Sequence, residues 1–308
     1  MSDLLTSRQM ASFVARGFLA FEAIVPETLN QRFLADVGDV DPAEISSIAD
    51  HYAKVMSRST IPVVAAGTPL QNAYPSDSAL GELIKVPQIA GAIASLVGEG
   101  CVFDHHFLHI TFPPHFSKSM GQKPVSQHTH QDSTIDPRKA FDIQLLYFPH
   151  KVVREMGGTR YLPGSHLRRV SEAAIGRYQN IRGQQHVVCE AGTVIVFHHG
   201  MWHGGGVNQS DALRYMFKIR LAPAIAQHRL WDTSDLPNDH AQQRPIFWLD
   251  PNAERDPIHA TLTQPEPWFE YDTGRLEYLN RIRMWRYLLG DASFDADYWL
   301  TRVENEFA

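Results

Sequence analysis

The chain has 308 residues, of which 44% are hydrophobic and 20% are charged, as expected of a soluble protein with a sizeable core. Its 34 acidic and 28 basic side chains give a formal net charge of -6, which argues against nucleic acid or an anionic membrane as a partner. Two cysteines cannot form a disulfide framework, so we expect a reducing compartment, the cytoplasm. We find no signal peptide, membrane-spanning run or peroxisomal C-terminus.

The N-terminal third is predicted to be mainly helical. Thr6 and Gln9 have the spacing of a capping box, and the helix that they begin is expected to end at Gly17. A short strand follows over Phe18–Phe21. Further helices are predicted from Glu27, from Ile45 to Met56, and from Gly81 to Val97 with an interruption at Pro87.

From Cys101 onward, short β-rich runs alternate with turn residues. This texture is typical of an all-β sandwich or barrel. The predicted strands are Cys101–Phe112, a short strand carrying His130 and Asp132, Asp142–Phe148, Thr159–Leu162, His186–Cys189, Thr193–His198 and Leu213–Leu221.

The last of these strands alternates in character. One face is apolar from Leu213 to Leu221, while Arg214, Met216, Lys218 and Arg220 point to the other face. This pattern predicts a strand that packs on helices with one face and borders a polar cavity with the other.

After Ala222 the pattern loosens into a Pro- and Asp-rich connection. A helix is predicted from about Thr273 to Leu289, and a final short helix carries Trp299 and Phe307. We interpret residues 1–308 as a single domain with a helical C-terminal extension that begins at about residue 223.

The candidate chemistry lies in two short motifs. In the first, His130 and Asp132 are two residues apart, so on an extended strand their side chains project from one face. A third ligand, His203, begins a Gly-rich stretch much further along the chain. Two imidazoles and one carboxylate form the facial triad of non-haem Fe(II) oxygenases, which leaves open metal positions for a bidentate 2-oxo acid and O2. We therefore predict that these three residues are metal ligands and catalytic.

Arg214 follows the second motif closely. A guanidinium placed there could hold the distal carboxylate of a 2-oxo acid through a two-pronged, charge-assisted contact. The role of Gln144 stays open, since it could contact the co-substrate or the substrate, or face solvent.

Beyond these motifs, the chain resembles the phytanoyl-CoA dioxygenase-like (PhyH) family of Fe(II)/2-oxoglutarate-dependent oxygenases. The resemblance covers roughly the first 220 residues and is carried by the opening helix and strand, His130-Gln131-Asp132, Gly158 to His166, and His203 to Arg214. It implies a mainly β fold with flanking helices and a double-stranded β-helix (jelly-roll, cupin-like) core. It also implies that a small-molecule substrate is hydroxylated at an unactivated C–H bond, with release of succinate and CO2.

Carried over residue by residue, the resemblance implies that His130, Asp132 and His203 bind Fe(II) and that Arg214 anchors 2-oxoglutarate. Relatives that halogenate have a small residue in place of the carboxylate, so Asp132 argues for hydroxylation. The family commonly has a serine where this chain has Gly205. Thr111 or Lys123 could then support Arg214 in its place.

Two other function classes remain open at this point. One is a cupin-like metal enzyme of another reaction class, such as an isomerase or a hydrolase, although Arg214 argues against it. The other is a non-catalytic, ligand-binding jelly roll, which an intact set of metal ligands disfavours.

Overall fold

The structure is a computed structural model that describes residues 3–133, 136–138, 141–168, 170–177, 180–228, 230–236, 257–268 and 271–292. The helices are α1 (Ser7–Arg16), α2 (Glu27–Val37), α3 (Ile48–Arg58), α4 (Ala79–Leu83), α5 (Pro87–Val97), α6 (Pro114–Ser119), α7 (Glu172–Ile175), α8 (Pro257–Thr263) and α9 (Tyr271–Leu289). The strands are β1 (Phe18–Phe21), β2 (Val102–Thr111), β3 (Ile143–Phe148), β4 (Arg160–Tyr161), β5 (Gln185–His186), β6 (Thr193–His198), β7 (His203–Gly204) and β8 (Arg214–Ala222).

The strands form two antiparallel sheets. The larger sheet has the order β1-β6-β3-β8-β2, and the smaller one has the order β5-β4-β7. Strands distant in sequence are neighbours in both sheets, as a jelly roll requires. The predicted mainly β fold, with a jelly-roll core and flanking helices, is confirmed.

The larger sheet separates two hydrophobic layers, and β3 shows how. Leu145 and Tyr147 belong to the cluster shared with the helices, where the Phe33 ring of α2 lies 5.3 Å from the ring of Tyr147. Leu146 and Phe148 point the other way, into the cluster between the sheets. Because both faces of the strand are covered, all its residues are buried.

Helix α1 begins and ends as its sequence predicts. The Thr6 hydroxyl accepts a hydrogen bond from the Gln9 amide, and the Gln9 side chain accepts one from the Thr6 amide. At the other end Gly17 has a φ of 77°, and its amide donates to the Phe13 carbonyl. This left-handed residue turns the chain directly into β1.

Helices α6, α7 and α8 were not predicted from the sequence, and one predicted helix begins later than expected. Helix α3 starts at Ile48 rather than at Ile45 because Ser47 caps it, its hydroxyl accepting a hydrogen bond from the Asp50 amide. Ahead of this cap, Pro42–Glu44 form a separate helical turn.

The C-terminal helices join the same core as α1. Leu262 of α8 and Trp285 of α9 belong to the helix-facing cluster, and Trp231 donates a hydrogen bond from its indole to the Ser7 hydroxyl at 3.2 Å. This shared core agrees with one domain, which stays a prediction. The predicted final helix around Trp299 lies outside the described residues.

Two sequence predictions concern membrane-spanning helices and disulfide bonds. Among the described residues, no helix combines the length and the apolar character that crossing a membrane requires. Cys101 and Cys189 are both unpaired thiols.

Two glycines with the same backbone conformation allow a test of the packing around α1. Gly17 and Gly38 both have a φ of 77°, but a Cβ at Gly17 would lie 2.4 Å from Nδ1 of the buried His166, whereas no described atom lies within 4 Å of one at Gly38. We expect Gly38→Ala to lower the free energy of unfolding by about 1–2 kcal/mol through backbone strain alone. Gly17→Ala should lose a further ~1–3 kcal/mol through overpacking.

Urea unfolding of the two variants and the parent measures both losses. Equal losses in Gly17→Ala and Gly38→Ala would show that His166 does not pack against this turn as described.

Candidate metal centre

His130 and His203 are brought together by a backbone pairing. The His130 amide donates to the His203 carbonyl at 2.9 Å, and the His203 amide donates to the His130 carbonyl at 2.9 Å. The two residues are therefore directly opposite each other on antiparallel segments. Their imidazole rings lie 4.4 Å apart between centroids.

Asp132 completes the cluster. One carboxylate oxygen lies 3.5 Å from Nε2 of His130, and the other lies 4.0 Å from Nε2 of His203. One donor atom from each of the three residues lies within 4.8 Å of the others. The predicted strand through His130 and Asp132 is reduced to a single bridge at His130. The chain bends after it because the Asp132 amide bonds to the His199 carbonyl instead of continuing the ladder.

Backbone carbonyls fix the orientation of both imidazoles. Nδ1 of His130 lies 2.9 Å from the His128 carbonyl, and Nδ1 of His203 lies 2.9 Å from the Met201 carbonyl. A carbonyl can only accept, so each Nδ1 carries the proton and each Nε2 faces the cluster with its lone pair. Outer hydrogen bonds of this kind are what orient metal-binding histidines.

The protonation states also suit a metal ion. Burial lowers the pKa of His203 to about 4, so its imidazole is neutral at pH 7. Burial alone would raise the pKa of Asp132, but its contact with His130 and the positive charge of Lys218 outweigh this effect and lower that pKa below its ordinary value. The site thus offers a neutral imidazole and an ionised carboxylate, which are the forms that bind metals.

Two further side chains contact the carboxylate of Asp132. The Gln144 amide donates to Oδ2, and the Lys218 ammonium lies 3.4 Å from the same oxygen. Gln144 is 1% exposed, so the solvent-facing alternative for this residue is wrong. Both donors act on Oδ2, which leaves Oδ1 on the side of His130. Two imidazoles and a carboxylate held in this way fit a first-row divalent metal with open coordination positions.

The cluster opens into a cavity of about 460 Å³ between the sheets. Arg214, from β8, is 3% exposed and lines this cavity. Its Nη2 donates to the Thr111 hydroxyl at 2.7 Å, whereas Lys123 is exposed on the surface. The sequence analysis named Thr111 and Lys123 as possible partners of Arg214, and of these two residues it is Thr111 that contacts Arg214 in the structure.

Two nitrogens of Arg214 lack a partner. Within the described part of the chain, Nε and Nη1 are buried and make no hydrogen bond. Burial lowers the pKa of Arg214 to about 10, so it is still protonated at pH 7. A buried guanidinium with free donors is a binding site for an anion, and its planar shape matches a carboxylate.

Sequence reasoning assigned no role to two cavity residues, His109 and Lys218. His109 lines the cavity, and burial, together with the charges of Lys218 and Arg214, lowers its pKa to about 3. Strand alternation already placed Lys218 on the cavity face of β8, and the same alternation along β2 could have found His109. His109 lies two residues before Thr111 on β2, and Lys218 lies four after Arg214 on β8.

Comparison with protein families gives a match over most of this region. A family model described as phytanoyl-CoA dioxygenase (PhyH) matches residues 13–216. The chain belongs to the PhyH family. The three clustered donors, Thr111 and Arg214 all fall inside the PhyH match, whereas α8 and α9 follow it.

Individual relatives of this PhyH chain are distant. Human peroxisomal phytanoyl-CoA dioxygenase is 23% identical over 245 residues, which cover 72% of this chain and 70% of the human protein. HygX from Streptomyces hygroscopicus, solved with nickel and 2-oxoglutarate bound, has 13% identity and a TM-score of 0.50, covering 72% of this chain and 88% of HygX. EvdMO1 has 21% identity and a TM-score of 0.48; the match covers 70% of this chain but only 49% of EvdMO1. The likeness to HygX supports the fold.

The cluster predicts a simple loss of metal binding. Replacing His130, Asp132 or His203 with Ala should strongly weaken Fe(II) binding and abolish turnover, because a divalent ion then keeps only two protein ligands. Asp132→Glu should also bind poorly, because the longer side chain moves the oxygen away from the two Nε2 atoms. Anaerobic Fe(II) titration by calorimetry measures the affinities.

His128→Ala is the matched control, since the exposed His128 side chain is not one of the three clustered donors and the variant keeps the carbonyl that contacts His130. Parent-like Fe(II) affinity in His203→Ala would exclude this cluster as the metal centre.

Proposed function

We propose that this protein is an Fe(II)/2-oxoglutarate-dependent oxygenase that hydroxylates an unactivated C–H bond of a small molecule and releases succinate and CO2. The proposal rests on one observation: the His130, Asp132 and His203 donors share a cavity with Arg214, whose Nε and Nη1 have no partner among the described residues. Membership of a dioxygenase family supports the same reaction class.

Each cavity residue then has a defined task. His130, His203 and one oxygen of Asp132 would hold Fe(II), and Arg214 with Thr111 would bind the distal carboxylate of 2-oxoglutarate. When bound, Fe(II) with 2-oxoglutarate and O2 supplies the oxidising power that breaks the C–H bond. The cavity walls formed by Leu146 and Met216 are buried and apolar, so they keep water away from the reacting groups.

Gln144 has a positioning role in this assignment rather than a direct contact with the co-substrate. Its amide already donates to Oδ2 of Asp132, which fixes the carboxylate for a metal bound on the other oxygen. Hydrogen bonds to a ligating carboxylate commonly tune metal affinity.

The rival reaction classes differ in what they do with 2-oxoglutarate. A cupin-like isomerase or hydrolase does not consume 2-oxoglutarate, so its reaction does not require a buried guanidinium that binds the distal carboxylate of 2-oxoglutarate. A non-catalytic jelly roll would release no succinate. A screen of candidate substrates for succinate release that depends on both O2 and 2-oxoglutarate separates these classes and searches for the substrate at once.

The proposed setting is the cytoplasm, because both cysteines are unpaired thiols. The name of the human relative places that protein in the peroxisome, so the compartment is open to test by localising a tagged copy. The net negative charge and the size of the cavity favour a small-molecule substrate over nucleic acid or a membrane surface.

Arg214 gives the sharpest test of the co-substrate assignment. Removing one partner of a buried, hydrogen-bonded charge pair costs about 2–5 kcal/mol. Arg214→Ala should therefore weaken 2-oxoglutarate binding by at least ~30-fold, while Fe(II) affinity stays unchanged because Arg214 is not a ligand. Arg214→Lys should recover only part of the loss, since an ammonium cannot make the two-pronged contact. The measurement is an anaerobic 2-oxoglutarate titration of the Fe(II) form, followed by its visible charge-transfer band.

Arg32→Ala is the control, because this guanidinium pairs with Glu82 on the surface. If Arg214→Ala titrates like the parent, the anchor lies elsewhere and the co-substrate assignment fails.

A further inference from the structure

Lys218 is a cation inside the cavity that neither the metal nor the distal carboxylate of 2-oxoglutarate requires. Its side chain is 13% exposed, and its ammonium lies 3.4 Å from Oδ2 of Asp132. Within the described residues, this long contact is its single hydrogen bond. Lys218 therefore faces the cavity with donor capacity to spare, since an ammonium has three N–H groups.

Strand geometry keeps Lys218 apart from the carboxylate site at Arg214. The two residues share the cavity face of β8 and are four positions apart, which corresponds to about 13 Å along an extended strand. The Arg214 guanidinium donates to Thr111, whereas the Lys218 ammonium contacts Asp132, so the two cations have different partners.

The charges that line the cavity are unbalanced. Among the described lining residues, Arg214 and Lys218 are cations and Asp132 is the single carboxylate. His109, also on the cavity wall, is neutral at pH 7 because burial holds its pKa at about 3. One carboxylate thus faces two cations before any ligand binds.

Two carboxylates on or beside the strands that flank β8 are paired with another cation. Asp142 accepts a hydrogen bond from Arg220 at 2.7 Å, and Asp104 lies 3.2 Å from the same guanidinium. Neither carboxylate belongs to the described lining of the cavity. These two carboxylates balance the charge of Arg220, so Asp132 is the carboxylate that pairs with Lys218 among the described residues.

Binding of the metal and the co-substrate does not remove the imbalance. The two charges of Fe(II) would be matched by Asp132 and by one carboxylate of 2-oxoglutarate, and Arg214 would be matched by the other carboxylate. Lys218 is then the remaining cation, and it must share Asp132 with a divalent ion. A mostly buried ammonium without an anion is unfavourable, so this arrangement favours a further anionic ligand.

Apolar side chains surround the place where that ligand would bind. Lys218 has two cross-strand neighbours, Phe107 on β2 and Leu146 on β3, and both line the cavity. Phe107 is half exposed, whereas Leu146 is buried. We propose, building on the proposed function, that Lys218 binds an anionic group of the primary substrate. The substrate is then a small organic acid with an apolar body.

The test compares a carboxylate with its neutral amide. The Zn(II)- and 2-oxoglutarate-loaded protein, which cannot turn over, is titrated with 3-phenylpropanoate and with 3-phenylpropanamide by ligand-observed NMR. We expect the parent to bind the carboxylate at least about tenfold more tightly, as a charge-assisted hydrogen bond allows. Lys218→Met should bind both probes equally, and Lys218→Arg should keep part of the preference.

Lys151→Met is the matched control, because Lys151 is exposed and pairs with Glu190 at the surface; it should keep the full preference. No binding, equal binding of both probes to the parent, or an intact preference in Lys218→Met would overturn the proposal. So would a tenfold loss of 2-oxoglutarate affinity in Lys218→Met with the preference retained, since Lys218 would then serve the co-substrate. The charge-transfer band of the parent's Fe(II)·2-oxoglutarate form tests the proposed function separately, so the two failures are distinguishable.

Discussion

The site depends on one backbone pairing, the two hydrogen bonds between His130 and His203. This pairing joins two segments that are distant in sequence, and it sets both imidazoles on the same side before any metal is present. Each ring is then fixed by a carbonyl two residues earlier in its own segment. The geometry of the candidate metal site is thus built into the jelly roll by main-chain hydrogen bonds.

Strand β8 connects this site to the stability of the whole fold. Its apolar residues, such as Phe217 and Ile219, are fully buried against the helices. The alternate residues Arg214, Met216 and Lys218 line the cavity. A shift of one residue in register would exchange these two faces, so packing of the helical layer holds the cavity cations in place. Core packing and site geometry therefore cannot vary independently along this strand.

Much of this could be predicted from the sequence, because the signals are local. The capping box at Thr6, the alternation of β8 and the His-x-Asp spacing each arise within a few residues. The bend at Asp132 could not be predicted, since it depends on a hydrogen bond to the carbonyl of His199. The same is true of Gln144, because the side-chain contact between Gln144 and Asp132 exists only in the folded chain. The charge imbalance at Lys218 becomes visible only when the partners of Asp104 and Asp142 are known.

The central claim is that three protein donors hold one metal ion and leave adjacent positions for a co-substrate that Arg214 anchors. A crystal structure of the protein grown anaerobically with Fe(II) and 2-oxoglutarate tests it most directly. We predict one ion bound by Nε2 of His130, Nε2 of His203 and one oxygen of Asp132, with 2-oxoglutarate on two further positions and its distal carboxylate against Arg214. A fourth protein ligand on the ion, or a 2-oxoglutarate molecule turned away from Arg214, would contradict this account.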